Sequence, residues 1–249
     1  MKNYEKFDGK ADVYALARPS YPDKLIDLIT KNVGKNCTIA DIGSGTGKLT
    51  AALLERGYTV YAVEPGLDMR LQAEKLLSRY ANFHSVNGSA ENTTLPSATA
   101  DTVTAAQAFH WFDPKAFKRE CLRILKPHGK VFLVWNMRDT SAEINILTAE
   151  LIRRFCPKFV SFNGGVKEND ERVIAFFDGN LSREVFSCNL VYDREKFVER
   201  GLSSSYALKE GDENYDEYAF ALGEFFDSYA LDGKLEVPNK TVAFYGTIR

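Results

Sequence analysis

The 249-residue chain has no apolar stretch able to cross a bilayer. Its densest strongly apolar run, Val131-Phe132-Leu133-Val134-Trp135, is five residues long, against the roughly 20 that a spanning helix needs. The opening residues, MKNYEKFDGK, lack the apolar core of a secretory signal, and none is expected there. Cysteine is scarce. Cys37, Cys121, Cys156 and Cys188 lie more than 30 residues apart, with no Cys-x-x-Cys and no Cys/His pair at zinc spacing. Neither a disulfide framework nor a zinc site is expected, and the thiols read as buried or free in a reducing compartment. Charge of one sign is also missing. Thirty-two Lys plus Arg against 34 Asp plus Glu leave a net −2, which exerts no global pull on nucleic acid or anionic membrane. The cations Lys115, Lys118, Arg119, Arg123 and Lys126 read as the solvated face of one helix. No repeat, low-complexity tract or Pro/Gly/Ser linker divides the chain, so one large domain, or a core with a small lid, is expected.

What is present is ordinary for a soluble globule, 45% apolar and 27% charged, arranged as alternating helices and strands. Pro22 opens a helix that Gly34 closes. Cys37 to Ile42 is a short apolar strand, Gly47 to Arg56 a helix, and Tyr58 to Val63 a second strand. A helix over Leu67 to Arg79 and a brief strand at Phe83 to Val86 follow. Asn87 to Ala100 is polar loop, and Asp101 to Ala108 a fourth strand. Asp113-Pro114 caps a helix running to about Lys126, broken by Pro127 and Gly129. Lys130 to Trp135 is a fifth strand, apolar enough for burial on both faces. Strands alternating with helices of this length imply a parallel sheet. Later, helices are expected at Ala142 to Phe155, near Asp170 to Phe177, at Arg194 to Arg200 and at Glu213 to Tyr229. Strands are expected at Arg183 to Val191 and Lys240 to Ile248.

The most informative residues are Asp41-Ile42-Gly43-Ser44-Gly45-Thr46-Gly47-Lys48. A strand runs into glycines that open a helix, the start of a nucleotide-binding βαβ unit. A phosphate-binding Walker A loop would need Gly at 42 and Ser or Thr at 49, where Ile42 and Leu49 stand. The NAD fingerprint would need Gly at 48, where Lys48 stands. Asp41 would repel a pyrophosphate and suits a cationic ligand. S-adenosylmethionine is such a ligand, carrying an ammonium, a sulfonium and no phosphate. Gly43, Ser44 and Gly45 then let it approach the backbone closely. Glu64 ends the second strand 23 residues after Asp41, placed to hold two ribose hydroxyls.

These motifs, with Val63-Glu64-Pro65, Gly88-Ser89-Ala90-Glu91 before Leu95-Pro96, and Leu125-Lys126-Pro127-His128-Gly129, resemble the class I S-adenosylmethionine-dependent methyltransferases. The nearest set is the type 11 small-molecule group, similar to trans-aconitate and ubiquinone/menaquinone methyltransferases. The resemblance covers residues 36 to 138, and 7 to 30 more loosely. It implies a Rossmann-like, doubly wound, seven-stranded mixed sheet, with a helical cap from the N-terminus and the late insert. It implies a single methyltransferase domain over 1–249, with a cofactor core at 36–138 and a cap and acceptor side at 139–239. It implies that Ser89, Ala90 and Glu91 border the adenine, although many relatives have Asp where Ser89 stands. Tyr14 and Arg18 would close over the cofactor, and Pro65, Met69 and Gln107 complete the cofactor-binding set.

The fourth strand delivers Gln107-Ala108-Phe109-His110-Trp111-Phe112-Asp113 to the sheet edge where ligands bind in open α/β folds. It lacks the Asn/Asp-Pro-Pro-Tyr/Phe set that resembles base-methylating enzymes, and it lacks an acidic pair for Mg²⁺. A metal-free enzyme acting on a small molecule is expected, releasing S-adenosylhomocysteine. His110 and Tyr14 are the candidate catalytic residues, His110 because its imidazole titrates in the useful range. Trp111, Arg138 and Tyr206 are candidates for acceptor binding, Arg138 suiting a carboxylate. A carboxylate or hydroxyl oxygen is the favoured acceptor, in a cytoplasmic monomer or homodimer without nucleic-acid or membrane partners. Two rivals stand beside this reading. One is a protein that binds S-adenosylmethionine or its product without turnover, and the other is an NAD-linked oxidoreductase.

Overall fold

In a computed structural model, residues 21–162 and 170–249 are described. Tyr14 and Arg18, the expected cover of the cofactor, lie outside the described residues. Seven strands form one mixed sheet in the order β3-β2-β1-β4-β5-β9-β6. They are β1 (Thr38–Ile42), β2 (Thr59–Val63), β3 (Phe83–Val86), β4 (Ala100–Ala106), β5 (Leu125–Arg138), β6 (Ser182–Ser187) and β9 (Asn239–Gly246). The first five pair in parallel, β1 lying between β2 and β4. This is the seven-stranded sheet that the resemblance implies.

The chain divides into two compact units. The first runs through Asn136 and adds residues 170–186 and Thr241–Arg249. On one sheet face, Leu25, Ile26 and Ile29 of helix α1 (Asp23–Val33) and Leu49 and Leu53 of α2 (Lys48–Glu55) pack with Ile39, Val60, Phe132 and Val134. Each such side chain contributes about 1.5–3 kcal/mol on burial. Pro22 stands at the start of α1, and Gly34 stops it at φ 83°, its N–H donating to Thr30 O. Helix α3 (Leu67–Leu77) follows β2, and α4 (Pro114–Ile124) follows β4, with the Asp113 carboxylate capping it through Lys115 N and Ala116 N. An aromatic cluster centres on Phe109, Phe117 and Phe176, the last on α6 (Glu171–Phe176).

The second unit takes 137–162 and Ser187–Lys240. Helices α5 (Glu143–Phe155), α7 (Arg194–Leu202) and α8 (Tyr215–Tyr229) bury Ile152, Phe197, Tyr218, Leu222 and Phe226 together. Strands β7 (Leu190–Tyr192) and β8 (Leu235–Val237) form a separate antiparallel pair. The expected strand over Arg183 to Val191 is thus two strands, and β8 was not expected. At three residues each, these strands carry no readable alternation. β5 is also longer than its apolar run. Leu125 pairs with Ala100 and the register then shifts, so Lys126 to Gly129 form an irregular strand start where a break was expected. Helix α4 accordingly ends at Ile124, short of Lys126. Among the described residues, no helix is long and apolar enough to cross a membrane.

The loop after β3 is tied to α4. Glu120 Oε1 accepts from Thr93 N at 2.7 Å, Thr93 Oγ1 at 2.6 Å and Arg123 Nη2 at 2.6 Å. Arg123 Nη1 reaches Leu95 O at 2.7 Å. Burial alone would raise the Glu120 carboxyl, but the bonds from Arg123 and Thr93 outweigh it and hold the group down to about 2. A depressed native pKa stabilises the fold above the unfolded value of about 4.3, and that stability is lost as pH falls further. Glu120→Ala should therefore lower the unfolding free energy by about 2–3 kcal/mol at neutral pH, because it strands a buried N–H and hydroxyl. Denaturant titrations should show the gap to wild type narrowing as pH falls from about 4 towards 2.

Candidate functional site

β1 ends at Ile42, and Gly43, Gly45 and Gly47 follow with φ of 68°, 58° and 82°. Glycine takes such angles without the Cβ clash that other L-residues suffer. At Gly43 a Cβ would also stand 2.7 Å from Ala108 Cβ. The loop is held by its own amides. Gly43 N and Ser44 N donate to Val63 O at 2.8 and 3.2 Å, and Gly45 N donates to Glu64 Oε2 at 2.9 Å. The second Glu64 oxygen accepts from Gly66 N at 2.8 Å. Glu64 is 8% exposed. Burial pushes its carboxyl up, and the two N–H bonds oppose the rise.

Asp41 lies below the loop at 1% exposure. Thr50 Oγ1 donates to its Oδ2 at 2.7 Å and Thr104 Oγ1 to its Oδ1 at 2.8 Å. Thr104 is its register partner on β4. Burial drives the Asp41 carboxyl up to about 6 against those two hydroxyls, and the neighbouring Glu64 charge adds to the rise. Each bonded oxygen still has a second lone pair.

Asp41, Gly43, Ser44 and Gly45 line an open cleft with Gln107, from the end of β4. Ser44 Oγ is buried and has no hydrogen-bond partner among the described residues. An orphaned hydroxyl costs free energy unless a ligand satisfies it. With the glycine backbone and the Asp41 carboxylate it fits a cofactor carrying a cationic group, as S-adenosylmethionine does; Glu64, expected to hold the ribose, bonds the loop from behind and is not among the residues that line the cleft.

The other expected residues fall in several places. Met69 is buried on α3, and Pro65 carries a carbonyl that Arg70 Nη1 approaches at 3.4 Å. Ser89 and Asn92 exchange backbone hydrogen bonds in a tight turn that contains Ala90, and Glu91 Oε1 accepts from Asp113 N at 3.1 Å. None of these five lines the cleft. His110 and Trp111 sit on a single 3-10 turn, Phe109–Trp111. His110 Nδ1 accepts from Trp135 Nε1 at 3.4 Å, which puts the proton of the neutral ring on Nε2. For Nδ1 to take a proton from an acceptor, the indole N–H must first leave it. Trp111 is 38% exposed, its ring centroid 4.8 Å from that of His110.

Arg138 and Tyr206 belong to the second unit. The Arg138 guanidinium lies over the Phe162 ring at 4.2 Å and donates to Asn145 Oδ1 at 3.2 Å. Burial lowers its pKa, and the nearby hydroxyls of Tyr206 and Tyr192 oppose that. Tyr206 packs edge-on against Phe159 at 4.7 Å.

Tyr21, Thr46, Lys48, Leu49, Ala106 and Asn136 also line the cleft, and sequence reasoning had not named them as site residues. Asn136 carried a signal, as the first polar residue after the apolar run of β5. Thr50 and Thr104 carried none, because a threonine that holds a buried carboxylate looks like any other strand or helix threonine.

Residues 40–133 match the model of a family described as a methyltransferase domain. An uncharacterised methyltransferase of Mycobacterium tuberculosis is 38% identical over 133 residues, 53% of this chain and 53% of that protein. A methyltransferase-like protein of Schizosaccharomyces pombe, also uncharacterised, is 34% identical over 161 residues, covering 61% of this chain and 62% of its own length. The chain therefore spans about half, or somewhat more, of the curated relatives it matches. Among solved structures, a candidate type II methyltransferase from Anaeromyxobacter dehalogenans superposes with a TM-score of 0.62 at 22% identity, over 92% of this chain and 95% of that one. A candidate methyltransferase from an antibiotic biosynthesis pathway of Anabaena variabilis gives 0.63 at 21% identity, over 93% and 99%. Both show likeness of fold.

The buried Asp41 charge makes the site costly to fold. Its native pKa of about 6 exceeds the unfolded value of about 3.9, so ionisation opposes folding above pH 6. Below about pH 4 the group is protonated in both states and the cost is gone. Asp41→Asn keeps polar contacts to both hydroxyls. It should stabilise the protein at pH 7–8 by on the order of 2–3 kcal/mol. Thermal or denaturant unfolding at stepped pH should show that gain fading between about pH 6 and pH 4; a pH-independent gain would contradict a buried charge.

Proposed function

We propose that the protein transfers a methyl group from S-adenosylmethionine to a small-molecule acceptor, a carboxylate or hydroxyl oxygen being favoured, by in-line displacement without a metal. The observation that carries this reading is the glycine loop closing on Glu64. One carboxylate at the end of β2 holds Gly45 N of the loop after β1, beside the orphaned Ser44 hydroxyl of the cleft. The match of residues 40–133, which include that loop and Glu64, to a methyltransferase domain also supports it.

When bound, the cofactor supplies a methyl already activated on sulfur, so the chain's task is alignment and exclusion of water. Glu64 accepts from the ribose hydroxyls through its remaining lone pairs. Asp41 and Ser44 serve the amino-acid end, in a cleft where a buried carboxylate favours a cation. Gly43 and Gly45 keep the floor free of side chains. Pro65, Met69 and the turn Ser89-Ala90-Glu91, which lie outside the cleft lining, are assigned to the base by resemblance alone, and so are Tyr14 and Arg18, outside the described residues, as the cover of the cofactor. His110 and Trp111 wall the acceptor, with His110 the candidate to receive a proton if the acceptor is a hydroxyl. Arg138 and Tyr206 would hold an acidic acceptor, for which no general base is needed. The segment 139–239 would choose the acceptor, since the family match ends before it.

The test is a metabolite-library screen reading S-adenosylhomocysteine release, run with and without EDTA. The expected result is release with at least one small acid or alcohol, undiminished by chelation. Cofactor binding with no release for any acceptor would favour a carrier. Turnover abolished by EDTA and restored by Mg²⁺ would overturn the metal-free mechanism.

A further inference from the structure

Arg70 stands one turn into α3 and reaches back to the end of β2. Its Nη1 donates to Glu64 O at 2.9 Å and lies 3.4 Å from Pro65 O. The same nitrogen donates to Asn87 Oδ1 at 3.3 Å, on the first residue after β3. The Arg70 backbone N–H closes the first turn of α3 on Gly66 O at 3.0 Å. One half-buried guanidinium thus clasps the end of β2 and the loop after β3 from the start of a helix.

A carbonyl oxygen is satisfied by any neutral donor, so the clasp alone does not call for a cation. The charge matters to the Glu64 side chain. Glu64 Oε2 accepts from Gly45 N of the glycine loop, and Oε1 accepts from Gly66 N ahead of α3. The seat is tight, since a Cβ on Gly66 would stand 3.0 Å from Oε1. An ionised carboxylate accepts well at both oxygens, whereas protonation turns one of them into a hydroxyl, a weaker acceptor. Both amides are therefore held best while Glu64 is charged.

Burial works against that charged form, and Asp41 at the end of β1 repels it. The Arg70 cation favours it. At the N-terminal ends of α2 and α3 the other charged side chains are Lys48 and Asp68.

We propose that Arg70 is a positioning residue for the cofactor that acts through Glu64, clasping the end of β2 so that the carboxylate keeps Gly45 and the glycine loop in place. The inference rests on the cofactor reading above, because that loop lines the cleft. Without the Arg70 charge, Glu64 takes up its proton at a higher pH and the loop loosens there. A clasp that did not work through the carboxylate would have no such pH dependence.

The test is calorimetry of S-adenosylhomocysteine binding, stepped from about pH 9 to about pH 5. Wild type is compared with Arg70→Gln, which keeps a donor without the charge, and with Arg70→Lys, which keeps the charge. Asp41, Lys48 and Asp68 are common to all three proteins, so differences between the profiles report Glu64. Arg70→Gln should match wild type at the alkaline end and begin to lose affinity at a higher pH. Where the two curves lie furthest apart it should bind about 2- to 10-fold more weakly, the worth of one hydrogen bond. Arg70→Lys should follow the wild-type profile. A loss equal at every pH, or no loss at any, would overturn the proposal while leaving the cofactor reading intact. Failure of wild type to bind S-adenosylhomocysteine at all would remove both.

Discussion

Two carboxylates lie buried at the ends of adjacent parallel strands, and the cleft is organised by the need to satisfy them. The side-chain oxygens of Glu64 and Asp41 take their hydrogen bonds from neutral donors, while the Arg70 guanidinium donates to the Glu64 backbone oxygen at 2.9 Å and its charge favours the ionised carboxyl. Glu64 takes backbone amides from Gly45 and Gly66, and Asp41 takes hydroxyls from Thr50 and Thr104. Neutral donors stabilise a buried charge only in part, and both groups are pushed towards the protonated form. A cationic ligand bearing hydroxyls would relieve both. The fold thus carries an electrostatic cost that binding would recover, as sites tuned for function often do.

The rest of the cleft follows from that arrangement. For Glu64 to reach the loop after β1, the loop must pass close to the end of β2, and three left-handed glycines provide the path. For Asp41 to find Thr104, β1 and β4 must be neighbours in register. The same neighbour relation brings Gln107 to the opposite side of the loop.

Much of the first unit was legible in the chain. Parallel strands buried on both faces read as short apolar runs, and Gly34, Pro22 and Asp113 mark helix ends through their own backbone chemistry. The turn from strand to helix at Gly43 to Gly47 was legible because closely spaced glycines after a short apolar strand mark it. The seven-strand count was legible as well, since the five early strands and the two late ones at Arg183 to Val191 and Lys240 to Ile248 make seven, while the mixed doubly wound arrangement came from resemblance. The pair β7–β8 was hidden by its brevity. The irregular start of β5 was hidden because Pro127 and Gly129 normally end elements. At the site, Thr50, Thr104 and Asn136 act through register and contact, which a linear reading does not contain. His110 was chosen for its chemistry, and its bond to Trp135 is a matter of packing.

The central claim is that the buried Glu64 carboxylate is kept for a ribose diol. The most direct measurement is calorimetry on the unaltered protein, comparing S-adenosylhomocysteine with its 2′,3′-dideoxy counterpart. The account predicts that loss of the two hydroxyls weakens binding about 10- to 100-fold, as expected for hydrogen bonds to a charged acceptor. Equal affinity for the two ligands would contradict it, and would leave Glu64 with no more than the task of holding its own glycine loop.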